Sequence, residues 1–208
     1  MEERIKNLLQ SWQRRNIQAL YCADKEEAAE KIVAIIPHSA SVGFSGSQTL
    51  EQIGIIRRLE GRGNKIFNPY KTGISRDESL ELRREGAQAD YYLASANAIS
   101  EKGELVFFSG YGNRIAGVSY ARNTIIVAGI NKITPNLEEA LKRAREYSTP
   151  LNCKRLNWNS ACLKDGICRE TICLFPGYKR MCCQVLIIEA EVTPNRLKVI
   201  LVGENLGF

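Results

Sequence analysis

Six of the chain's seven cysteines lie between positions 153 and 183: Cys153, Cys162, Cys168, Cys173, Cys182 and Cys183. The spacing Cys162-x5-Cys168-x4-Cys173-x8-Cys182 brings four thiols into one short, loop-rich stretch. Thiolates select zinc or an iron–sulfur cluster, and either can take four of them. A stretch this poor in apolar runs cannot build its own core, so a bound metal would hold it together. No C-x2-C pair is present, and only the Cys168–Cys173 gap is as short as a zinc knuckle. That spacing tilts the expectation from zinc towards the cluster. Lys154, Arg155, Lys164, Arg169, Lys179 and Arg180 surround the thiols. Their charge would offset a four-thiolate site, favour a reduced cluster and lower the thiol pKa values. Free thiols in an irregular insertion are the alternative. Cys22 stands alone in a strand and reads as core.

A second set of residues suits an anion. Ser45-Gly46-Ser47-Gln48-Thr49 follows the apolar run Ser41–Phe44 and opens a helix over Leu50–Glu60. Unpaired amides at a helix start, with the hydroxyls of Ser45, Ser47 and Thr49, make an anion-binding arrangement. Simple helix capping by Ser47 or Thr49 is the competing role. The loop has neither a Walker lysine nor a dinucleotide spacing. Further on, Gly110-Tyr111-Gly112-Asn113-Arg114 follows Leu105–Phe108. Its glycines let amides converge, and Arg114 supplies a guanidinium suited to carboxylate or phosphate. A plain tight turn explains those glycines equally well. Asn97 stands in a third polar loop, and Glu101 is the carboxylate beside it. Ser47, Thr49, Asn97, Asn113 and Arg114 are expected to converge on one cleft at the sheet's carboxyl edge. Glu101 is the candidate acid–base residue if it faces that cleft, and a solvated turn residue if it does not. His38 is the single histidine and reads as a surface residue, which removes most histidine-based schemes.

These side chains need elements to carry them, and 208 residues suit one α/β domain, 1–208, with the Cys-rich insertion 151–183 inside it. Residues 2–15 read as an amphipathic helix with Ile5, Leu8, Leu9 and Trp12 on one face. Ala19–Cys22 is a strand, and Asp24 caps a helix that runs to about Ile36. Lys65–Phe67, Ala89–Ala94, Leu105–Phe108 and Thr124–Ala128 read as strands. The last is apolar or β-branched throughout, as in a strand covered on both faces. Arg76–Gly86 and Leu137–Tyr147 read as helices. The character of the chain changes at Pro150. Beyond the cysteines, Gln184–Glu189 and Leu197–Val202 are expected to pair through a turn at Thr193-Pro194-Asn195.

The formal charge of +6 favours an anionic ligand or partner, without the aromatic-interleaved basic stripe of a nucleic-acid binder. No run is long and apolar enough to span a membrane, and MEERIKNLLQ lacks a signal peptide's apolar core. A cytoplasmic location with reduced or metal-bound thiols follows as an expectation. Expected partners are a small carboxylate or phosphate and further copies of the chain.

Several stretches together resemble one family. Gly46-Ser47-Gln48-Thr49-Leu50 with Ile53-Gly54 is similar to the G-S-x-T-x-x-x-x-G stretch of the lactate-utilisation (LUD) domain family. Ser95–Gly103 resembles its A-N-A-I-T-E-x-G, Gly112–Gly117 its G-N-R-V-A, and Gly129–Ile133 its G-x-N-K-I. The ending Leu201–Phe208 looks like that of many members, and the likeness covers roughly residues 35–208. The resemblance implies a fold like the ribose-5-phosphate isomerase and CoA-transferase group, a parallel-dominated sheet with helices on both faces. It also implies a pocket shared by Phe44–Thr49, Asn97–Glu101 and Gly110–Arg114. Some members carry C-x5-C-x2-C-x6-C-N. Here Cys162 and Cys168 fit the first pair, Cys173 and Cys182 each come two residues late, and Cys183 replaces the asparagine. The family's role implies a part in oxidising L-lactate to pyruvate beside iron–sulfur subunits. A stand-alone enzyme on a phosphorylated or CoA-linked metabolite, or a metal-stabilised scaffold, are the other readings.

Overall fold

A computed structural model describes residues 2–208. In chain order the elements are α1 (Glu2–Arg14), β1 (Gln18–Cys22), α2 (Lys25–Ile35), β2 (Val42–Phe44), α3 (Gln48–Ile53) and α4 (Ile55–Gly61). Then come β3 (Ile66–Phe67), α5 (Arg76–Ala87), β4 (Tyr91–Ala94), β5 (Ala98–Ser100), β6 (Leu105–Ser109) and α6 (Asn113–Tyr120). The last are β7 (Thr124–Gly129), β8 (Ile133–Thr134), α7 (Leu137–Arg143), α8 (Thr149–Arg155), β9 (Gln184–Ile188) and β10 (Leu197–Val202).

Six strands form a wholly parallel sheet in the order β1-β10-β7-β4-β2-β3. Four more form a second sheet, β8-β5-β6-β9, with antiparallel pairs on both sides of β6. Alternation along β7 divides the core, because successive side chains point to opposite faces. Ile125 and Val127 pack with α2, α3 and α4 through Ile32, Leu50 and Leu59. Ile126 and Ala128 pack the other way, against Trp12 of α1, Val118 of α6 and Phe107 of the second sheet. The fold is α/β with a mostly parallel sheet. The small second sheet packs Ile99 and Phe107 towards α1 and α6, and Ala98 and Val106 towards α7.

Short-range signals form as read. The Asp24 side chain accepts from the Glu27 amide at 2.9 Å and caps α2. Two longer-range expectations are corrected. First, β9 and β10 are not partners. β9 pairs antiparallel with β6, from Ser109–Gln184 to Leu105–Ile188, while β10 runs parallel between β1 and β7. Burial explains the split: β10 is covered almost throughout and needs a central place, whereas β9 leaves most of its residues exposed and suits an edge. Second, the helix over Leu50–Glu60 is two, divided at Gly54, whose φ of +69° suits glycine. The change of character at Pro150 falls inside continuous helical structure. A π-helical turn, Ala144–Ser148, links α7 to α8, and Pro150 sits in the first turn of α8, where its missing N–H costs nothing. Among the described residues, no helix is long and apolar enough to cross a membrane.

Candidate functional site

The loops after β2, β4 and β6 open onto one cleft of about 820 Å³. Ser45, Gly46 and Ser47 line it from the first loop and Asn97 from the second. Gly110, Asn113 and Arg114 line it from the third. Thr49 does not: it is buried, and its hydroxyl meets the Leu206 carbonyl at 3.3 Å and the Lys132 amine at 2.9 Å. Gly112 caps α6 in the left-handed region, φ +81°, and stands outside the lining. Glu101 also lies outside it, half-exposed and paired with Arg4 at 2.6 Å. His38 is exposed.

Arg114 anchors the cleft. Its Nε donates to Ser45 Oγ at 3.3 Å, and Nη2 donates to the Gly46 carbonyl at 2.8 Å. Nη1 donates to Asn97 Oδ1 at 3.1 Å and to the Phe108 carbonyl at 3.0 Å. Every acceptor is neutral, and among the described residues no carboxylate pairs with it. Burial pulls its pKa below the ordinary arginine value, with Tyr70 and Tyr92 opposing. A guanidinium placed this way holds a positive charge that an incoming anion would complete. Ser47 fills the capping role, since its Oγ accepts from the Leu50 amide at 3.3 Å. α6 has no side-chain cap, which leaves its first-turn amides beside Arg114.

Sequence reasoning missed three parts of this site. Arg83, on α5, stacks its guanidinium 5.1 Å from the Tyr70 ring and 5.0 Å from the Tyr111 ring. It came from a run of charges that reads as a solvated helix face. Tyr111 meets Trp158 edge-on at 5.9 Å, although 47 positions separate them (158 − 111). Lys132, 3 % exposed, lies behind the loops. Its G-x-N-K-I context was the available signal.

The thiols surround a second, much smaller cavity of about 20 Å³. Cys153, Cys162, Cys168, Cys173 and Cys182 all line it. Cys183 points elsewhere, with its Sγ donating to the Arg180 carbonyl at 2.9 Å. Thr149 and Met181 line both cavities and so form the wall between cleft and thiols. Two N–H donors face the sulfurs. The Ala161 amide reaches Cys173 Sγ at 3.4 Å, and Arg180 Nε reaches Cys182 Sγ at 3.4 Å.

The expected lowering of thiol pKa values is corrected where a shift is resolved. Burial pushes the Cys153 thiol up to about 12, and burial followed by Cys182 and Cys162 raises that of Cys168. Nearby cations are already engaged: Arg169 with Asp165, and Arg145 and Arg180 with Glu170. Among the described residues, no three His, Cys, Asp or Glu side chains stand close enough to share one metal ion. As they stand, the thiols therefore do not fit a zinc ion, whose sulfurs sit about 2.3 Å from a single centre. A cluster spreads its ligands over several irons; five thiols line this cavity, which at about 20 Å³ has room for about one water as it stands.

A family model described as the LUD domain matches residues 5–202. Among solved structures the chain is similar to a DUF162 family protein from Deinococcus radiodurans. The TM-score is 0.57 at 13% identity, covering 97% of this chain and 98% of that one, which shows a shared fold. A weaker likeness, TM-score 0.37 at 20% identity over 54% of each chain, is to ribose 5 phosphate isomerase A from Neisseria gonorrhoeae, and it carries no argument. No curated protein matches the chain significantly. The loop motifs and a domain match spanning nearly every residue agree: the chain belongs to the LUD domain family, which is associated with lactate utilisation.

Proposed function

We propose that the chain is a subunit or accessory protein of a cytoplasmic system that oxidises L-lactate or a related 2-hydroxy acid. In this reading it holds a small anion at Arg114 and an iron–sulfur centre at Cys162, Cys168, Cys173 and Cys182, with Cys153 as the alternative ligand. One observation supports it most: the cleft with an uncompensated guanidinium shares the Thr149–Met181 wall with the thiol cavity. Such a centre would supply one-electron transfer. Arg114 would bind and orient the carboxylate, and Asn97 would hold Arg114 in place.

The cleft's own acids are Glu51 and Glu60, and Glu51 pairs with Arg155 at 3.5 Å. No histidine lines it. Glu60 is thus the cleft carboxylate without an ion pair among the described residues. Glu101, engaged with Arg4 away from the cleft, does not favour the stand-alone reading.

The test is titration of protein purified without oxygen with L-lactate and pyruvate, alongside metal analysis. Expected are saturable binding that Arg114→Ala weakens about 10- to 150-fold, the equivalent of ~1.5–3 kcal/mol for a charged hydrogen bond, and about four irons per chain with visible absorbance bleached by dithionite. Less than about one iron or zinc per chain, with every thiol titrating free, removes the metal centre. Absence of binding removes the anion site.

A further inference from the structure

The cleft is large for a lactate-sized anion. Its 820 Å³ lies in the range of pockets that enclose drug-sized ligands. It also has two chemically different halves. One holds Arg114 and the Ser45–Ser47 loop. The other is aromatic, with Tyr70 44 % and Tyr111 49 % exposed, both facing the cleft, and Trp158 against Tyr111.

Arg83 joins the halves. Its guanidinium lies against the rings of both tyrosines, and its Nε is buried with no acceptor. Buried polar groups in native proteins are nearly always paired; this N–H is enclosed, so the part of the guanidinium that lines the cleft between the two rings is what would meet a ligand atom. The charge around the cleft agrees. Arg57, Arg83, Arg114 and Arg155 outnumber Glu51 and Glu60, and Glu51 already answers Arg155. Two cations without a local acid match a phosphate dianion better than a single carboxylate. Asn113 stands in the same lining, and its side-chain amide brings a donor and an acceptor to the cleft.

We infer that the cleft takes an organic phosphate bearing a planar aromatic ring, of nucleoside-monophosphate type. Its phosphate sits against Arg114 and Arg83, and its ring lies on the Tyr111–Trp158 face. This inference rests on the reading above only in taking the cleft as the ligand site.

The experiment titrates the full chain with AMP, ribose 5-phosphate, adenosine and L-lactate, read by calorimetry and by the fluorescence of Trp158, the tryptophan at the cleft. AMP is expected to bind roughly ten-fold or more tighter than ribose 5-phosphate, the increment of one stacked base. Tyr111→Ala should weaken AMP more than ribose 5-phosphate and bring the two affinities together. Arg83→Gln should weaken both phosphates and spare adenosine. Thermal melts of both variants, which alter cleft-facing side chains, show whether each remains folded. Equal affinity for AMP and ribose 5-phosphate overturns the ring site, as does a Tyr111→Ala variant that keeps the full AMP affinity. Lactate binding without AMP binding overturns this inference and leaves the preceding reading standing. AMP binding without lactate binding does the reverse.

Discussion

Lys132 donates from Nζ to Ser95 Oγ at 2.8 Å, and both residues are buried. The same amine donates to Thr49 Oγ1 at 2.9 Å and to the Ala96 carbonyl at 3.1 Å. One side chain from beyond β7 thus ties the loops after β2 and β4. The C-terminal segment closes over it. A Cβ added to Gly207 would stand 2.4 Å from Thr49 Oγ1 and 3.3 Å from Lys132 Nζ. The cleft loops are therefore held from behind, by a cation with three neutral acceptors.

This arrangement predicts an alkaline signature. Burial, then Arg143 and Arg114, hold the Lys132 pKa well below 10.5. The folded state therefore releases this proton at lower pH than the unfolded chain does. Between the folded pKa and the ordinary lysine value the unfolded state binds more protons, so stability rises with pH there. The difference in unfolding free energy between the native chain and Lys132→Met should grow in favour of the native chain from neutral pH to about pH 10. Denaturant melts across that range check it. A constant difference would mean that the amine keeps its proton throughout.

Arg114→Lys should act mostly through geometry. The charge remains, but an ammonium cannot reach Ser45, Gly46, Asn97 and Phe108 together as the guanidinium does. Anion affinity should fall by about 1–3 kcal/mol, with a smaller loss of stability. Calorimetry on the variant and the native chain measures both. Affinity equal to that of the native chain would show that charge alone holds the ligand.

Trp12 is fully buried, and its Nε1 donates to the Gly103 carbonyl at 2.9 Å. It fixes α1 against the β5–β6 turn. Trp12→Ala should cost ~3–5 kcal/mol, the range for removing a large buried aromatic. Trp12→Phe keeps most of the packing and should cost less, with the orphaned carbonyl contributing about 1–3 kcal/mol. Urea denaturation gives both values.

Two glycines should respond oppositely to their surroundings. A Cβ at Gly43 would lie 1.9 Å from the Gly86 carbonyl oxygen, so β2 and α5 approach backbone to backbone. At Gly54 a Cβ meets nothing within 4 Å, and only the φ of +69° resists substitution. Gly54→Ala should cost about 1 kcal/mol. Gly43→Ala forces backbone apart and should cost at least ~3 kcal/mol, the upper end of ordinary overpacking. Thermal denaturation of the pair decides, and equal melting temperatures would contradict the close approach.

Much of the site's frame was legible in the linear chain. The Ser45–Ser47, Asn97 and Gly110–Arg114 loops each follow an apolar run, and all three reach the cleft. Thr49 and Glu101 show the limit of that reasoning. Adjacent polar residues in a loop point in different directions. Thr49 turns inward to Lys132, and Glu101 swings out to Arg4. Arg83 carried no signal, because a charged residue on a charged helix looks solvated until α5 is docked beside Tyr70 and Tyr111.

The sequence by itself determined what arises within a few residues. The α1 stripe of Ile5, Leu8 and Trp12, the Asp24 cap and the unbroken burial of β7 all follow from periodicity and neighbouring hydrogen bonds. Tertiary structure alone decided which strands pair, because a hydrogen-bond ladder accepts any strand whose faces find cover. It therefore separated β9 from β10 and placed them in different sheets. Tertiary structure also enclosed Cys153 with the later thiols, left Arg83 Nε without a partner and set Met181 between the two cavities. Each of these depends on segments far apart in the chain arriving at one place, and local propensity carries no information about such meetings.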